Sequence, residues 1–140
     1  MKFTANFSQA TIETRFPMEV GEKDWLISIV DVGAADARVA QPFDKVFRFC
    51  FDDCEHTTQW DTAMSPAQAQ RMGFVIARAR DLDKNVWVHC HAGIYRSGAV
   101  VEVLNLLGWT VVNDFSIPRI PNRRVFNLLR EEFPELGNFP

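Results

Sequence analysis

Three short runs of almost unbroken apolar residues constrain the fold of this chain more than any other feature. The runs are Trp25–Val30, Val46–Phe51 and Val86–Cys90, and the first two end directly at aspartates. The first run is apolar at nearly every position and predicts a strand buried on both faces, which is typical of parallel sheets covered by helices. The runs therefore predict a central, mainly parallel β-sheet.

Helical patterns follow these strands. Ser65 and Pro66 suit an N-cap and a first helical position, and an apolar stripe at three- and four-residue spacing follows: Ala69, Met72, Val75, Ile76, Ala79 and Leu82. A second helix over residues 97–107 is apolar on nearly all sides, with Gly108 as its C′ residue. A third helix, stopped by Pro134, carries Val125, Phe126, Leu128, Leu129 and Phe133. This order of elements predicts an α/β fold in which helices flank the sheet.

Two segments between these elements have weaker patterns. Residues 33–42 are rich in Ala and small polar residues, and we expect a short helix there. Residues 54–64 are polar, and we expect a surface loop. The length of 140 residues suits one domain spanning residues 1–140.

Charge and cysteine usage exclude several classes of protein. The chain has 15 Lys plus Arg against 18 Asp plus Glu, a net charge of −3, so binding to nucleic acid through bulk charge is not expected. No signal peptide and no membrane span is evident. Three cysteines are too few for a secreted disulfide scaffold. We therefore expect a cytoplasmic monomer that does not bind membranes.

The segment His89–Gly98, with the sequence HCHAGIYRSG, carries the most chemical information. It leads from a strand into a helix, so backbone N–H groups and the positive end of the helix dipole converge on it and favour an anion. A cysteine in that field, here Cys90, is favoured as the nucleophilic thiolate. The Arg96 guanidinium can hold two phosphate oxygens, Gly93 permits a tight turn, and the Ser97 hydroxyl can hydrogen-bond the sulfur.

This segment resembles the signature HCxxGxxRS of the cysteine-dependent protein tyrosine phosphatases, and the small size resembles their dual-specificity branch. Two further stretches, SPAQAQRMGFVIARARDLDKNVWVHC and IPNRRVFNLLREEF, resemble the helix and strand before the signature and a late helix of that family. The resemblance covers about residues 25–133. It implies a dual-specificity phosphatase-like fold.

The resemblance also implies a role for each residue of the signature. Cys90 would be the nucleophile, Arg96 the phosphate clamp and Ser97 the group that assists departure of the thiolate. His89 would orient the loop, unless it is only a hydrogen-bonded structural histidine. Backbone N–H groups that bind phosphate would come from His91, Ala92, Gly93, Ile94, Tyr95 and Arg96. For the Tyr95 side chain, packing within the loop is the favoured interpretation.

Hydrolysis also requires an acid that protonates the departing oxygen, and the family takes it from an aspartate upstream of the cysteine. Asp53 is favoured because it follows the strand that ends at Phe51 and Asp52, much as the family's acid follows its strand, and strand ends have a more rigid register than loops. Asp61 is the alternative, in the polar loop, and Asp52 is a third choice. At least two of these three carboxylates must have another role.

The sequence thus predicts a phosphatase that hydrolyses phosphotyrosine, with phosphoserine and phosphothreonine left open, through a cysteinyl-phosphate intermediate. We expect a phosphorylated protein or peptide as its partner, and neither cofactor nor metal. A zinc site at Cys50, Cys54 and His56 would be too compact and lacks a fourth ligand. The alternatives are an RNA 5′-triphosphatase, a phosphoinositide phosphatase, a sulfur-transfer or arsenate-reducing protein, and an inactive phosphate-binding pseudophosphatase.

Overall fold

The apolar runs form three adjacent strands, one of them at an edge, of a five-stranded sheet in which every strand is parallel to its neighbours. A computed structural model describes residues 1–112 and 117–137. The strand order is β3-β2-β4-β1-β5, and the strands are β1 (Phe3–Ser8), β2 (Asp24–Val30), β3 (Lys45–Cys50), β4 (Asn85–Cys90) and β5 (Thr110–Val111). The prediction of an α/β fold with a mainly parallel central sheet is confirmed.

Four α-helices and one short 3₁₀ helix connect and cover the strands. They are α1 (Gln9–Thr14), α2 (Pro66–Asp81), α3 (Arg96–Leu106), α4 (Arg123–Glu131) and the 3₁₀ helix Pro134–Leu136. Ser65 caps α2, and its side chain and that of Gln68 exchange hydrogen bonds with each other's backbone N–H. The predicted start of this helix is therefore confirmed, together with the capping chemistry that causes it.

The sheet separates two apolar cores. Alternate residues of β2 point to opposite sides, so Ile27 and Ile29 pack in the larger core with α2, α3 and α4, whereas Leu26 packs in the smaller core with α1. Because both faces of β2 and β4 are covered, these strands must be apolar at nearly every position. The helices on either side place the strand ends at one edge of the sheet.

Several local predictions were wrong. Residues 33–42 form a turn and irregular backbone and contain no helix. Leu82 is the C-cap of α2 and is exposed, and Leu106 in the last turn of α3 is exposed as well. Helix α4 ends before Phe133, which is buried, and Pro134 begins the 3₁₀ helix. Element ends turn towards solvent, so periodicity overestimates burial there.

Strand β1 was not predicted, although it lies between β4 and β5 near the middle of the sheet. Its sequence FTANFS includes the buried polar residues Thr4 and Asn6, which interrupt the apolar pattern. The Asn6 side-chain amide donates to the carbonyl oxygens of Gly93 and Pro118 at 2.6 and 3.1 Å. These long-range partners satisfy the buried amide, and no local pattern shows them.

Candidate active site

The segment between β4 and α3 forms a loop at the carboxyl edge of the sheet. Cys90 is the last residue of β4 and is 1% exposed. Its Sγ lies 3.1 Å from the Ser97 hydroxyl oxygen, and the Ser97 backbone N–H points to the same sulfur at 3.5 Å. Both groups can donate a hydrogen bond to the sulfur.

Gly93 gives this loop its shape. Its φ of +76° lies in the left-handed region, and a Cβ atom there would collide with the backbone of Phe7 and Ser8. The loop is held against β1 because Asn6 donates to the Gly93 carbonyl and the Gln9 N–H donates to the His91 carbonyl. A residue larger than glycine would therefore force the loop away from β1.

The N–H groups of the loop are available to an anion. In the part of the chain that the structure describes, the backbone N–H groups of residues 92–95 donate to no carbonyl oxygen. The α3 helix that follows has eleven residues, and its N-cap residue Tyr95 makes no side-chain capping bond. Free N–H groups at the start of a helix can bind an anion.

Arg96 is the buried cation of the site. It is 3% exposed, and its Nη1 atom donates to the Asp31 carboxylate at 2.7 Å and to the Phe51 carbonyl at 2.8 Å. Asp31 follows β2 and Phe51 follows β3, so two strand ends fix one side of the guanidinium. The Nε atom is buried and has no hydrogen-bond partner among the described residues. A buried N–H of this kind requires an acceptor.

His89 is buried beneath the loop. Its Nε2 atom lies 2.6 Å from the Ser28 hydroxyl and its Nδ1 atom 3.5 Å from the Cys90 carbonyl. Burial lowers the pKa of His89 to about 4, although the hydrogen bond with the Cys90 carbonyl acts in the opposite direction. At neutral pH the ring is therefore uncharged, and it supports the backbone at Cys90 as a hydrogen-bonded core residue.

The three candidate aspartates have different surroundings. Asp52 accepts hydrogen bonds from the N–H groups of Val32 and Thr62 at 3.1 and 2.7 Å. Its carboxylate therefore connects the segment after β2 to the polar loop before α2. Asp61 lies in the exposed loop, where its backbone pairs with Thr58.

Asp53 is exposed, and its Oδ1 atom accepts from the side-chain amide of Asn122 at 2.9 Å. The Asn122 backbone N–H donates in turn to the Tyr95 carbonyl at 3.0 Å. Through Asn122 the Asp53 carboxylate is therefore connected to the loop of Cys90. No comparable connection of Asp61 exists among the hydrogen bonds of the described residues.

A family model described as protein-tyrosine phosphatase matches residues 4–120. The chain belongs to this family. Membership in the protein-tyrosine phosphatase family places the chain among cysteine-dependent phosphatases. The match begins within β1, about twenty residues before the motif resemblance, and it ends at residue 120, before α4, whereas the resemblance extended to residue 133. A comparison with curated protein sequences gave no match.

The remaining polar clusters of this phosphatase domain lie apart from Cys90. The thiols of Cys50 and Cys54 are free, and no three His, Cys, Asp or Glu side chains among the described residues are grouped as metal ligands. Arg119 pairs with Glu102 and Arg124 donates to the Met64 carbonyl, while Arg123 borders an open cleft. None of the described helices is long and apolar enough to span a membrane.

Sequence reasoning missed two polar residues of the phosphatase site. The sequence marks Asp31 only as the end of a strand, although it makes the ion pair with Arg96. The sequence marks Asn122 only as part of a late-helix motif, although this residue contacts both Asp53 and the backbone at Tyr95, in the loop between β4 and α3. A polar residue directly after a buried parallel strand is the signal that identifies Asp31, because such strand ends share one edge.

Proposed function

We propose that this protein hydrolyses phosphotyrosine monoesters, with phosphoserine and phosphothreonine as further substrates, through a cysteinyl-phosphate at Cys90. The proposal rests above all on Arg96, whose buried guanidinium has one side fixed by Asp31 and Phe51 and an Nε atom without a partner among the described residues. Clamping of equatorial phosphate oxygens is the main catalytic demand of phosphoryl transfer. A phosphorylated peptide or protein is the partner that this chemistry requires.

In the first step the Cys90 thiolate attacks phosphorus in line with the departing oxygen. The S–P bond forms as the P–O bond to the tyrosine breaks, and Asp53 gives its proton to that oxygen. Arg96 and the free N–H groups of residues 92–95 bind the three remaining phosphate oxygens. The products of this step are neutral tyrosine, a cysteinyl-phosphate and an ionised Asp53.

In the second step a water molecule attacks the same phosphorus atom. The Asp53 carboxylate accepts a proton from the water, the new P–O bond forms and the S–P bond breaks. The sulfur leaves with the electron pair of that bond, and the hydroxyl and N–H of Ser97, at 3.1 and 3.5 Å, stabilise the thiolate. Inorganic phosphate is released and the starting state of Cys90 and Asp53 is restored.

Exposed apolar side chains support an aromatic ester as substrate. Val32 follows Asp31, Tyr95 belongs to the loop itself, and Ile120 donates its backbone N–H to the Ile94 carbonyl at 3.2 Å. All three side chains are substantially exposed at the edge of the sheet where the loop lies. Apolar groups at the border of a polar pocket favour contact with an aromatic ring.

Hydrolysis of p-nitrophenyl phosphate near pH 6 tests the proposal, with Cys90→Ser as the control. We expect turnover that vanadate inhibits and that the control lacks. Equal rates for the two proteins would overturn the enzymatic function and favour a phosphate-binding pseudophosphatase. A panel of phosphotyrosine peptide, phosphoserine peptide, phosphoinositide and RNA 5′-triphosphate then tests the substrate class, with the phosphotyrosine peptide expected to give the highest kcat/KM.

A further inference from the structure

Four of the hydrogen bonds of Asn122 connect three parts of the site. Its Oδ1 atom accepts from the Val125 N–H at 3.1 Å and caps α4. Its Nδ2 atom donates to Asp53 Oδ1 at 2.9 Å and to the Cys54 carbonyl at 3.3 Å, and its backbone N–H donates to the Tyr95 carbonyl at 3.0 Å. The residue is only 7% exposed.

We propose that Asn122 is a positioning residue that holds the Asp53 carboxylate beside the phosphate loop, residues 91–95, in the orientation needed for proton transfer. This inference rests on the proposed function, because it takes Asp53 as the acid. It assigns Asn122 a role in the reaction beyond the capping of α4.

The orientation of the Asn122 amide is determined by its partners. An N–H of Val125 faces one end of the amide, and a carboxylate and a carbonyl, which are both acceptors, face the other end. If the amide oxygen and nitrogen were exchanged, the oxygen would face the Asp53 carboxylate and the Cys54 carbonyl, which are both acceptors, and the nitrogen would face the Val125 N–H, which is a donor. Each N–H of Nδ2 therefore has one acceptor, and the amide has no alternative arrangement with its partners satisfied.

This fixed amide distinguishes the two oxygens of Asp53. Because Nδ2 donates to Oδ1, that oxygen serves as an acceptor, and the acidic proton belongs on Oδ2. A general acid must bring its proton within hydrogen-bonding distance of the departing oxygen. Asp53 is exposed in a loop, and a side chain there loses catalytic efficiency if its rotamer is free. The bond from Asn122 restricts that freedom and ties Asp53 to the same backbone, at Tyr95, that binds the phosphate.

The variants Asn122→Asp and Asn122→Ser test whether Asn122 positions Asp53 in addition to capping α4. Both replacements keep a good N-cap acceptor for Val125, so α4 is retained. Both remove the N–H donor to Asp53, and the aspartate also adds a repelling negative charge. Ser65→Asp, at the N-cap of α2, is the matched control, because it makes a similar cap exchange away from Asp53.

The readout is kcat for two substrates that differ in their need for an acid. Phenyl phosphate has a poor leaving group and requires protonation, whereas difluoromethylumbelliferyl phosphate has a good one and does not. We expect Asn122→Asp to lower kcat about 10²-fold for phenyl phosphate and less than about 3-fold for the umbelliferyl ester. Ser65→Asp should leave the ratio of the two kcat values unchanged.

Asp53→Asn completes a double-mutant cycle with Asn122→Ser. If Asn122 acts through Asp53, addition of Asn122→Ser to Asp53→Asn causes little further loss on phenyl phosphate. If Asp53→Asn lowers kcat on phenyl phosphate as expected but the Asn122 variants leave the ratio of the two kcat values unchanged, only the positioning role of Asn122 is overturned. No effect of Asp53→Asn overturns the acid assignment and this inference with it. An equal fall for both substrates in the Asn122 variants assigns a merely structural role to Asn122.

Discussion

The carboxylate of Asp31 accepts a hydrogen bond from the buried guanidinium of Arg96 at 2.7 Å. Asp31 itself is half-exposed, with 52% of its side chain accessible, whereas Arg96 is almost entirely buried. One end of the ion pair thus stays in water while the other lies under the loop. Because the pair uses Nη1, it leaves the buried Nε atom without a hydrogen-bond partner among the described residues. We infer that Asp31 sets the orientation of the phosphate clamp.

Replacement of Asp31 should therefore weaken catalysis through Arg96. We expect Asp31→Ala to lower kcat/KM for p-nitrophenyl phosphate about 10- to 100-fold, because a hydrogen bond to a charged group contributes about 1.5–3 kcal/mol. Asp31→Asn keeps an acceptor oxygen and should cause a smaller loss. Steady-state kinetics of the two variants decides this, and equal activity of Asp31→Ala and the unaltered protein would contradict the role of Asp31.

Asp53→Asn should lower kcat for phenyl phosphate by about 10²- to 10⁴-fold, the usual contribution of general acid catalysis. Asp61→Asn is the matched control, because it removes the same charge from the neighbouring loop without altering the bond to Asn122. We expect the control to retain nearly full activity. A large loss for Asp61→Asn with normal activity of Asp53→Asn would mean that the loop carboxylate is the acid.

Cys90 should react with iodoacetate at pH 6 faster than Cys54. The hydroxyl and the backbone N–H of Ser97 contact the Cys90 sulfur, whereas burial and then the carboxylates of Asp61, Asp52 and Asp53 raise the pKa of Cys54. Inorganic phosphate should protect Cys90 and leave the exposed Cys50 unaffected. Peptide mass spectrometry after timed labelling measures all three sites. Uniform labelling that phosphate does not change would contradict a reactive anion-binding cysteine.

The buried His89 should make the protein less stable in acid. Its pKa is about 4 in the folded chain and about 6.5 in the unfolded chain, so the unfolded chain binds more protons between these values. The free energy of unfolding should therefore fall by up to about 3 kcal/mol as the pH decreases from about 6.5 to about 4.

Urea unfolding at pH 7 and pH 4 measures this loss, with His89→Gln as the test variant. Without the titrating ring, the free energies of unfolding at pH 7 and pH 4 should differ less, by the same amount. Exposed His56→Gln is the control and should follow the unaltered protein. An unchanged pH dependence in His89→Gln would assign the acid sensitivity to other groups.

Gly93→Ala should displace the phosphate loop. Its φ is +76°, and the added Cβ would meet the backbone of Phe7 and Ser8. Gly33→Ala is a close control, because Gly33 has a φ of +84° and an added methyl group there would have nothing within 4 Å. We expect the control to lose about 1–2 kcal/mol of stability from the left-handed backbone and to keep its activity, whereas Gly93→Ala loses activity as well. Similar kinetics for the two variants would contradict the close packing of the loop on β1.

The strand–loop–helix unit around Cys90 could be predicted because its determinants are local. The apolar run of β4 and the signature in the loop are contiguous, and the start of α2 is set by Ser65 and Gln68. The position of this unit's loop at the carboxyl edge of the sheet then follows from the direction of β4 alone.

The rest of the site depends on partners that are distant in the sequence. Asn6 is buried in β1 because the carbonyls of Gly93 and Pro118 satisfy it, and this contact is invisible to periodicity. Asp31 and Asn122 acquire their roles only when the chain brings them to Arg96 and Asp53. The error over residues 33–42 has a related cause, since small residues permit a helix but do not require one.

The place of β1 between β4 and β5 has a consequence for synthesis on the ribosome. The Phe3 N–H binds the side chain of Asn85, 82 positions later in the chain, and the Asn6 amide binds the Pro118 carbonyl, 112 positions later. Strand β1 must therefore remain unpaired during translation until its partners β4 and β5 have been synthesised. Contacts of this range make folding slow, and the nascent chain keeps its phosphate loop unassembled until the segment around Pro118 emerges from the exit tunnel.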